Sequence, residues 1–361
     1  MSARTFALLA GGGTGGHVYP AVSLAEELVA RGHERGAIHF VGGRRGPEGR
    51  VVPAAGFAID LLPGRGRQRN LVANVAVAWQ AVVAFARSLV IVARRRPRVV
   101  VGFGGYASLP CVVAAWCLRV PRVVHEQDAV MGLANRIGAR LGARVAASLP
   151  GVDAPGATLT GNPVRPEFRD LRRRPQEPPL VAAFGGALGA ATVNRAVLGL
   201  YDRWRDRRDV AVHHVTGPRN EGDCIAELAR RRRPGDRLDY TLVGYEEQMP
   251  ELMARATVAV CRAGAGTVAE LTAAALPSVL VPLPGAPGDH QHRNARALAD
   301  AGAAVVVPDA ECDAARLDEE LGALLADPGR LAEMSARARA LARPDAAARL
   351  ADLVEEVARG R

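Results

Sequence analysis

One local pattern occurs twice in this chain and restricts its fold more than any other feature. Ala7-Leu8-Leu9-Ala10 empties into Gly11-Gly12-Gly13-Thr14-Gly15-Gly16-His17, and an alanine-rich helical stretch follows over residues 20–30. Residues 180–184 form a second apolar run, ending in Gly185-Gly186-Ala187-Leu188-Gly189-Ala190 and a helical stretch over 192–205. Small residues between a strand and a helix let backbone N–H groups approach an anion at the helix N-terminus. A chain whose halves both open this way fits two doubly wound, Rossmann-like α/β domains facing across a cleft, with ligands at the carboxyl ends of the strands.

The remaining periodicity agrees with that frame. Strands are expected at 5–10, 38–41, 99–103, 122–124 and 144–147, then at 210–215, 238–242, 258–261, 278–281 and 304–307. Helices are expected at 19–30, 71–94, 109–118 and 133–141, with amphipathic outer helices at 314–326, 330–342 and 345–359. Pro163, Pro166, Pro175, Pro178 and Pro179, interleaved with Arg172-Arg173-Arg174, break the periodicity and mark a linker. The expected division is 1–162, 163–342 and a closing segment, 343–361, whose helix packs back on the first domain.

Composition excludes several chemistries. All 47 basic residues are arginine, which leaves no Schiff-base lysine for pyridoxal phosphate and no Walker-A lysine. A net charge of +10 favours an anionic partner. The basic runs have no interleaved aromatics and match no binding module, so nucleic acid is not expected. Five cysteines without C-x-x-C spacing read as reduced packing residues of a cytosolic protein. Residues 1–10 run straight into the glycine loop without the features of a cleavable leader, and no secretory signal is expected.

Gly11-x-Gly13-x-x-Gly16 scans as a dinucleotide fingerprint, which needs an acid after the second strand to hold the ribose. Val41-Gly42-Gly43-Arg44-Arg45 stands there instead; arginines on a 2′-phosphate remain compatible, but leave the second glycine loop unexplained. His290-x-His292 lacks the carboxylate or cysteine that would complete a metal set, so no metal is expected. Residues 71–93 are long and apolar, but Asn74, Gln80, Arg87 and Ser88 fall on one half of a helical wheel, opposite Trp79, Val82, Leu89 and Val90. Two readings stand: a helix packed on its own sheet, or an apolar patch rimmed by Arg65, Arg67, Arg69, Arg94, Arg95 and Arg96 that docks on an anionic bilayer.

Two polar clusters close strand ends. Gly104-Gly105-Tyr106 lies beside His125-Glu126-Gln127-Asp128, where a catalytic cluster and a hydrogen-bonded structural His–Glu pair are the competing readings. Cys261-Arg262-Ala263-Gly264-Ala265-Gly266-Thr267-Val268-Ala269-Glu270 precedes Asp289-His290-Gln291-His292. Small residues at a helix start can meet a pyrophosphate, and Glu270 can accept from a ribose diol.

Gly12-Gly13-Thr14-Gly15-Gly16-His17-Val18-Tyr19-Pro20, Gly104-Gly105-Tyr106, His125-Glu126-Gln127, Gly161-Asn162-Pro163-Val164-Arg165, and Cys261-Arg262-x-Gly264 with Thr267-Val268-x-Glu270 succeed one another along the chain. In this order and spacing they resemble the peptidoglycan N-acetylglucosaminyltransferases, family 28 glycosyltransferases of the two-domain GT-B fold, over nearly the whole chain. The resemblance implies a peripheral enzyme at the cytoplasmic face of the cell membrane. It would move N-acetylglucosamine from UDP-GlcNAc to the C4 hydroxyl of the muramoyl sugar of the lipid-linked pentapeptide acceptor lipid I, with inversion, giving lipid II. No metal or other cofactor is implied.

By the same resemblance the first domain binds acceptor and membrane, and the second binds the UDP-sugar. His17 falls where a general base is proposed; a histidine at a helix N-terminus is biased toward its neutral form. Thr14, Gly15, Gly16, Asp128, Arg165, Ala187, Glu246, Ala265, Gly266, Thr267, Val268, Ala269, Glu270 and Gln291 fall at donor-binding positions, and Tyr106, His125, Glu126 and Asn194 on the acceptor side. Five positions depart from the family pattern. Ala187 replaces a serine, Asp128 an asparagine and Glu246 an apolar residue, while Leu109 and Cys111 replace glycines. They keep two alternatives open: a paralogous GT-B transferase with another sugar or acceptor, and a catalytically silent membrane-bound scaffold.

Overall fold

The computed structural model describes residues 5–64, 71–169, 171–186 and 189–360, and for 71–78 the backbone alone. The chain divides into two compact units, 1–165 with 343–361, and 166–342.

In the first unit the strands are β1 (Ala7–Ala10), β2 (Ile38–Gly43), β3 (Ala58–Leu62), β4 (Val99–Gly102), β5 (Arg122–Glu126), β6 (Arg144–Ala147) and β7 (Thr158–Leu159). Every pairing is parallel, in the order β3-β2-β1-β4-β5-β6-β7. The helices are α1 (Gly15–Ala30), α2 (Glu48–Ala54), α3 (Leu71–Arg95), α4 (Ser108–Cys117) and α5 (Leu133–Arg140). A central parallel strand is covered on both faces, which is why β1 is continuously apolar rather than alternating. Ala7–Ala10 pairs with Ile38–Val41 on one side and Val99–Gly102 on the other. The chain order therefore reverses between β1 and β4, whose outgoing loops lie side by side at the carboxyl edge, where ligands of such sheets bind. Strand β3 and helix α2 were not expected from periodicity: β3 is a half-exposed edge strand, and α2 is only a short helix behind a glycine-rich turn.

The second unit repeats the plan with β8 (Leu180–Phe184), α6 (Ala191–Trp204), β9 (Ala211–Val215), α7 (Glu221–Arg231), β10 (Asp239–Val243), α8 (Met249–Arg255) and β11 (Val258–Cys261). It continues with α9 (Ala265–Ala273), β12 (Ser278–Leu280), α10 (His290–Asp300), β13 (Ala304–Val306), α11 (Ala314–Leu325) and α12 (Pro328–Leu341). The strand order is β10-β9-β8-β11-β12-β13, so the reversal again follows a glycine loop. Trp204, Leu200, Val260 and Leu317 lie in its core, and the Trp204 indole N–H donates to Asp318 at 2.7 Å, which satisfies a large side chain's single polar atom.

Helix α13 (Ala346–Ala358) belongs to the first unit. Leu350, Ala351, Val354 and Val357 join the core that holds Leu24 and Leu28 of α1, and Arg31 pairs with Asp352 at 2.6 Å. The segment after β7 also belongs there, past Asn162 as far as Arg165: Ser23 Oγ donates to the Val164 carbonyl at 2.9 Å.

Helix α3 corrects the expected face assignment. Ser88 is buried, not aligned with an exposed polar face; its hydroxyl donates to the Ala84 carbonyl at 2.8 Å, and its small side chain lets Cys111 of α4 approach. Ala84, Ser88 and Val92, four residues apart, make the inner face, while Trp79, Val82 and Val90 are exposed. Trp116 and Leu118, at the end of the adjoining α4, are exposed as well. Among the described residues no helix is long and apolar enough to cross a membrane. Arg65, Arg67 and Arg69, and the side chains of Leu71, Val72, Asn74 and Val75, lie outside the described part.

Candidate active site

The crevice of the first unit is built on glycines that have no room for a side chain. Gly104 and Gly105 leave β4 at φ +86° and +76°, and a Cβ at Gly105 would overlap the Gly12 carbonyl. Only glycine lets these two loops touch while keeping a left-handed backbone. A Cβ at Gly43 would overlap the Tyr106 hydroxyl, and one at Gly64 would stand 2.7 Å from its ring, so Tyr106 lies packed in a glycine-lined slot. Burial raises the Tyr106 phenol above its ordinary value.

The first glycine loop is closed from beneath by a carboxylate. Glu48, at the start of α2 and 1% exposed, accepts the Gly43 N–H at 2.7 Å and the Gly13 N–H at 3.1 and 3.2 Å. Cβ atoms at Gly12, Gly42 or Gly46 would collide with it. The sequence reading looked for an acid near here to bind a ribose; the acid exists, but it is spent on the protein's own amides. The Gly13 amide therefore serves Glu48.

His17 lies on the first turn of α1. Its Nδ1 is 3.0 Å from the Gly12 carbonyl and 3.3 Å from Thr14 Oγ1. A carbonyl only accepts, so Nδ1 carries the hydrogen, and the neutral ring keeps its lone pair on Nε2. Nε2 faces Gly104, where an added Cβ would stand 3.2 Å away. Thr14 occupies the N-cap position, but its hydroxyl turns to His17 rather than capping the helix.

His125 and Glu126, at the end of β5, are both buried and both bonded within the protein. His125 Nε2 donates to the Gly161 carbonyl at 3.1 Å, while its Nδ1 accepts from Gln127 Nε2 at 3.0 Å. Burial first, and secondarily the proximity of His17, hold the His125 imidazole down to about 4, so it stays neutral. Glu126 accepts from Asn135 Nδ2 at 2.9 Å, Gly132 N–H at 2.8 Å and Asp128 N–H at 3.2 Å, which shapes the turn into α5. Burial raises its carboxyl, and these bonds oppose the shift. His125 and Glu126 thus bond to neighbouring loops and to α5 rather than to each other. Arg165 lies over the Tyr19 ring at 5.6 Å, at the end of the first unit.

In the second unit the predicted residues fall along the carboxyl edge of the other sheet. Gly264, Ala265, Gly266 and Thr267 begin α9, and Cβ atoms at Gly264 and Gly266 would meet nothing within 4 Å. That open space contrasts with the filled surroundings of Gly12, Gly43 and Gly105. Val268 is buried against the helix's own side of the core, whereas Ala269 and Glu270 are half-buried. Gln291, at the start of α10, uses its carbonyl to accept the Ala263 N–H at 3.3 Å and the Leu283 N–H at 3.0 Å, tying two loops together. Arg262, an unassigned neighbour in the sequence reading, donates to the Val281 and Pro282 carbonyls and pairs with Asp309 at 2.5 Å. Asp309 in turn accepts from Thr192 at the start of α6 at 3.2 Å.

Asn194 stands apart from the other residues expected on the acceptor side. It lies on α6 in the second unit, with Nδ2 donating to the Thr216 carbonyl at 2.9 Å and Oδ1 3.1 Å from His214 Nε2. His214 is held neutral by burial and bonds the Tyr240 hydroxyl at 2.9 Å. Glu246 reaches His213 at 3.1 Å and accepts the Gln248 N–H at 2.8 Å. Ala187 lies outside the described residues. Among those described, no group of three or more histidine, cysteine, aspartate or glutamate side chains is placed to hold a metal ion.

Residues 7–147 match the glycosyltransferase family 28 N-terminal domain and 180–350 the family 28 C-terminal domain. A UDP-N-acetylglucosamine–N-acetylmuramyl-(pentapeptide) pyrophosphoryl-undecaprenol N-acetylglucosamine transferase of Alkalilimnicola ehrlichii is 42% identical over 360 residues, covering 98% of this chain and 99% of the relative. The protein of the same description from Desulforudis audaxviator is 37% identical over 371 residues, covering 97% and 98%. The crystal structure of Acinetobacter baumannii MurG superposes with a TM-score of 0.79 at 27% identity, covering 98% of this chain and 99% of that one. The glycotransferase of kitacinnamycin, at 17% identity and a TM-score of 0.72, shares the fold. Two parallel-sheet units of this kind make a GT-B fold, and the chain belongs to the MurG family of N-acetylglucosamine transferases within glycosyltransferase family 28.

Proposed function

We propose that the protein transfers N-acetylglucosamine from UDP-GlcNAc to the C4 hydroxyl of the muramoyl sugar of lipid I, with inversion and without a metal ion, to give lipid II. The observation that carries this reading is the tautomer of His17 at the N-terminus of α1: Nδ1 lies 3.0 Å from the Gly12 carbonyl, so Nδ1 carries the hydrogen and Nε2 is the basic nitrogen of a half-buried ring. The other candidates for the base, His125 and Glu126, have their polar atoms engaged in bonds that shape the fold. In the proposed step Nε2 takes the proton of the attacking hydroxyl as its oxygen bonds to the anomeric carbon. The bond from that carbon to the diphosphate breaks, and UDP leaves with the electron pair. The N-terminus of α9, with Gly264 and Gly266 facing open space, supplies amides to the diphosphate charge, and Arg165 supplies a cation. Glu270 accepts from the ribose, and Gln291 holds the loops around the donor.

The exposed face of α3, with Trp79, Val82, Arg87 and Val90, and the neighbouring Trp116 and Leu118 support a peripheral position at the cytoplasmic face of an anionic membrane.

Purified protein given UDP-GlcNAc and a short-chain lipid I analogue is expected to release UDP only when both are present. His17→Ala is expected to lower kcat by about 10² to 10⁴ with little change in UDP affinity. An unchanged kcat would refute the base assignment. Turnover with another sugar nucleotide alone would point to a paralogous transferase, and binding to anionic vesicles without turnover under any pairing to a scaffold.

A further inference from the structure

The catalytic reading leaves Glu48 without a role, yet the structure gives this side chain unusual investment. It is buried, it stands beneath the glycine loop, and Gly12, Gly42 and Gly46 are each too close to it to carry a side chain. Its partners include the Gly13 N–H, and the Gly13 N–H and the Gly12 C=O are the two ends of one peptide group. The same Gly12 carbonyl faces His17 Nδ1.

We infer that Glu48 is a positioning residue that acts on His17 through the Gly12–Gly13 peptide: carboxylate to N–H, C=O to Nδ1–H. A peptide whose N–H donates to a carboxylate is polarised, and its carbonyl becomes a stronger acceptor. A stronger acceptor fixes the Nδ1–H tautomer and favours the imidazolium that forms when Nε2 takes a proton. An aspartate bonded directly to a catalytic histidine does the same work; here one planar, rigid peptide stands between the two groups. The arrangement also opposes the N-terminus of α1, which disfavours a positive charge on the ring.

The inference rests on His17 being the base, and it has a separate test. Among the groups that the structure ties to His17 are Glu48, through the peptide, and His125 on β5, which burial holds neutral. Nitrogen NMR of the full-length protein, with histidine labelled, is expected to show the Nδ1–H tautomer at His17. Finding Nε2–H there would overturn the relay without any variant being made.

Glu48→Gln keeps the volume and one acceptor but removes the charge. It is expected to lower the pH midpoint of His17 in the NMR titration by roughly half a unit to one unit, and to lower kcat about tenfold. UDP affinity and Tm should change little. In a His17→Ala background the same substitution is expected to cost the residual rate nothing further. An equal loss in both backgrounds, or a kcat loss with no movement of the His17 midpoint, would make Glu48 a purely structural residue. If His17→Ala itself leaves kcat unchanged, the base assignment falls, while the tautomer and the titration still report on the relay.

Discussion

Replacing Gly266 by alanine separates stability from donor binding, because the two are predicted to move in opposite directions. Gly266 lies in the first turn of α9, with an ordinary backbone conformation and open space where a Cβ would point. Glycine costs more conformational entropy on folding than alanine, so the substitution should stabilise the protein by about 0.5 kcal/mol. For a unit of this size that is a rise in Tm of roughly 1 to 2 °C. If the open space is where the diphosphate of the donor rests on the α9 amides, a methyl group there displaces it. The loss of one charge-assisted hydrogen bond amounts to about 1.5–3 kcal/mol, or roughly a 10- to 150-fold weaker Kd. Differential scanning calorimetry and titration calorimetry with UDP-GlcNAc measure the two quantities on one sample. A higher Tm with an unchanged Kd would remove α9 from the donor site. A lower Tm would mean that the space around Gly266 is filled by the protein itself.

Gly105→Ala should behave in the opposite way. At φ +76°, and with the Gly12 carbonyl in the way, it is expected to destabilise the first unit by about 2–4 kcal/mol and to depress kcat by moving that carbonyl off His17; an unchanged Tm would contradict the packing. Arg262→Met leaves Asp309 without its cation and two carbonyls without a donor, a loss of about 3 kcal/mol that thermal unfolding will detect and that a neutral result would refute. The pH dependence of stability follows from His125, whose folded value of about 4 lies below the ordinary 6.5. Between those values the unfolded chain binds a proton that the folded chain does not, so stability is complete above pH 6.5 and falls by about 3 kcal/mol as the pH drops toward 4. His214 adds to this trend in the second unit, and Glu126, raised by burial, opposes it. Urea midpoints that stay flat from pH 7 to 5 would contradict the burial of both histidines as neutral groups.

The two parallel sheets were legible because a strand buried on both faces must be apolar throughout, and β1, β4, β8 and β11 are. The positions of Tyr106, His125 and Glu126 were legible for a related reason: polar residues at or just past the ends of parallel strands arrive at the carboxyl edge. What each does there was not, since a histidine bonded to Gly161 and Gln127 and a histidine awaiting a substrate have the same one-letter code and the same spacing. Ser88 was misplaced because a helical wheel assigns serine to water, whereas its hydroxyl can be satisfied by the carbonyl one turn back and then buried. Glu48 was missed because it belongs to a short helix with no periodicity of its own. Its signal was the ring of glycines at 42, 43 and 46, which marks a buried group that backbone must approach closely.

The glycines of the first loop and those at the start of α9 both precede or open a helix at the carboxyl edge of a sheet, yet they answer to different constraints. Around the first, Glu48, Tyr106 and the Gly12 carbonyl occupy the volume that side chains at Gly12, Gly43 and Gly105 would need, so these three glycines are required by the protein's own packing beside His17. At the start of α9, the volume beside Gly264 and Gly266 is open, so fold stability does not require these glycines. Open space beside a helix N-terminus on the carboxyl edge of a parallel sheet leaves room for an anionic group to approach the backbone amides. On that basis the first loop orients a proton acceptor and α9 admits an anion, the two requirements of a sugar transfer from a nucleoside diphosphate. Gly105→Ala and Gly266→Ala, measured side by side, place this division at risk: it fails if both substitutions destabilise, or if neither changes turnover.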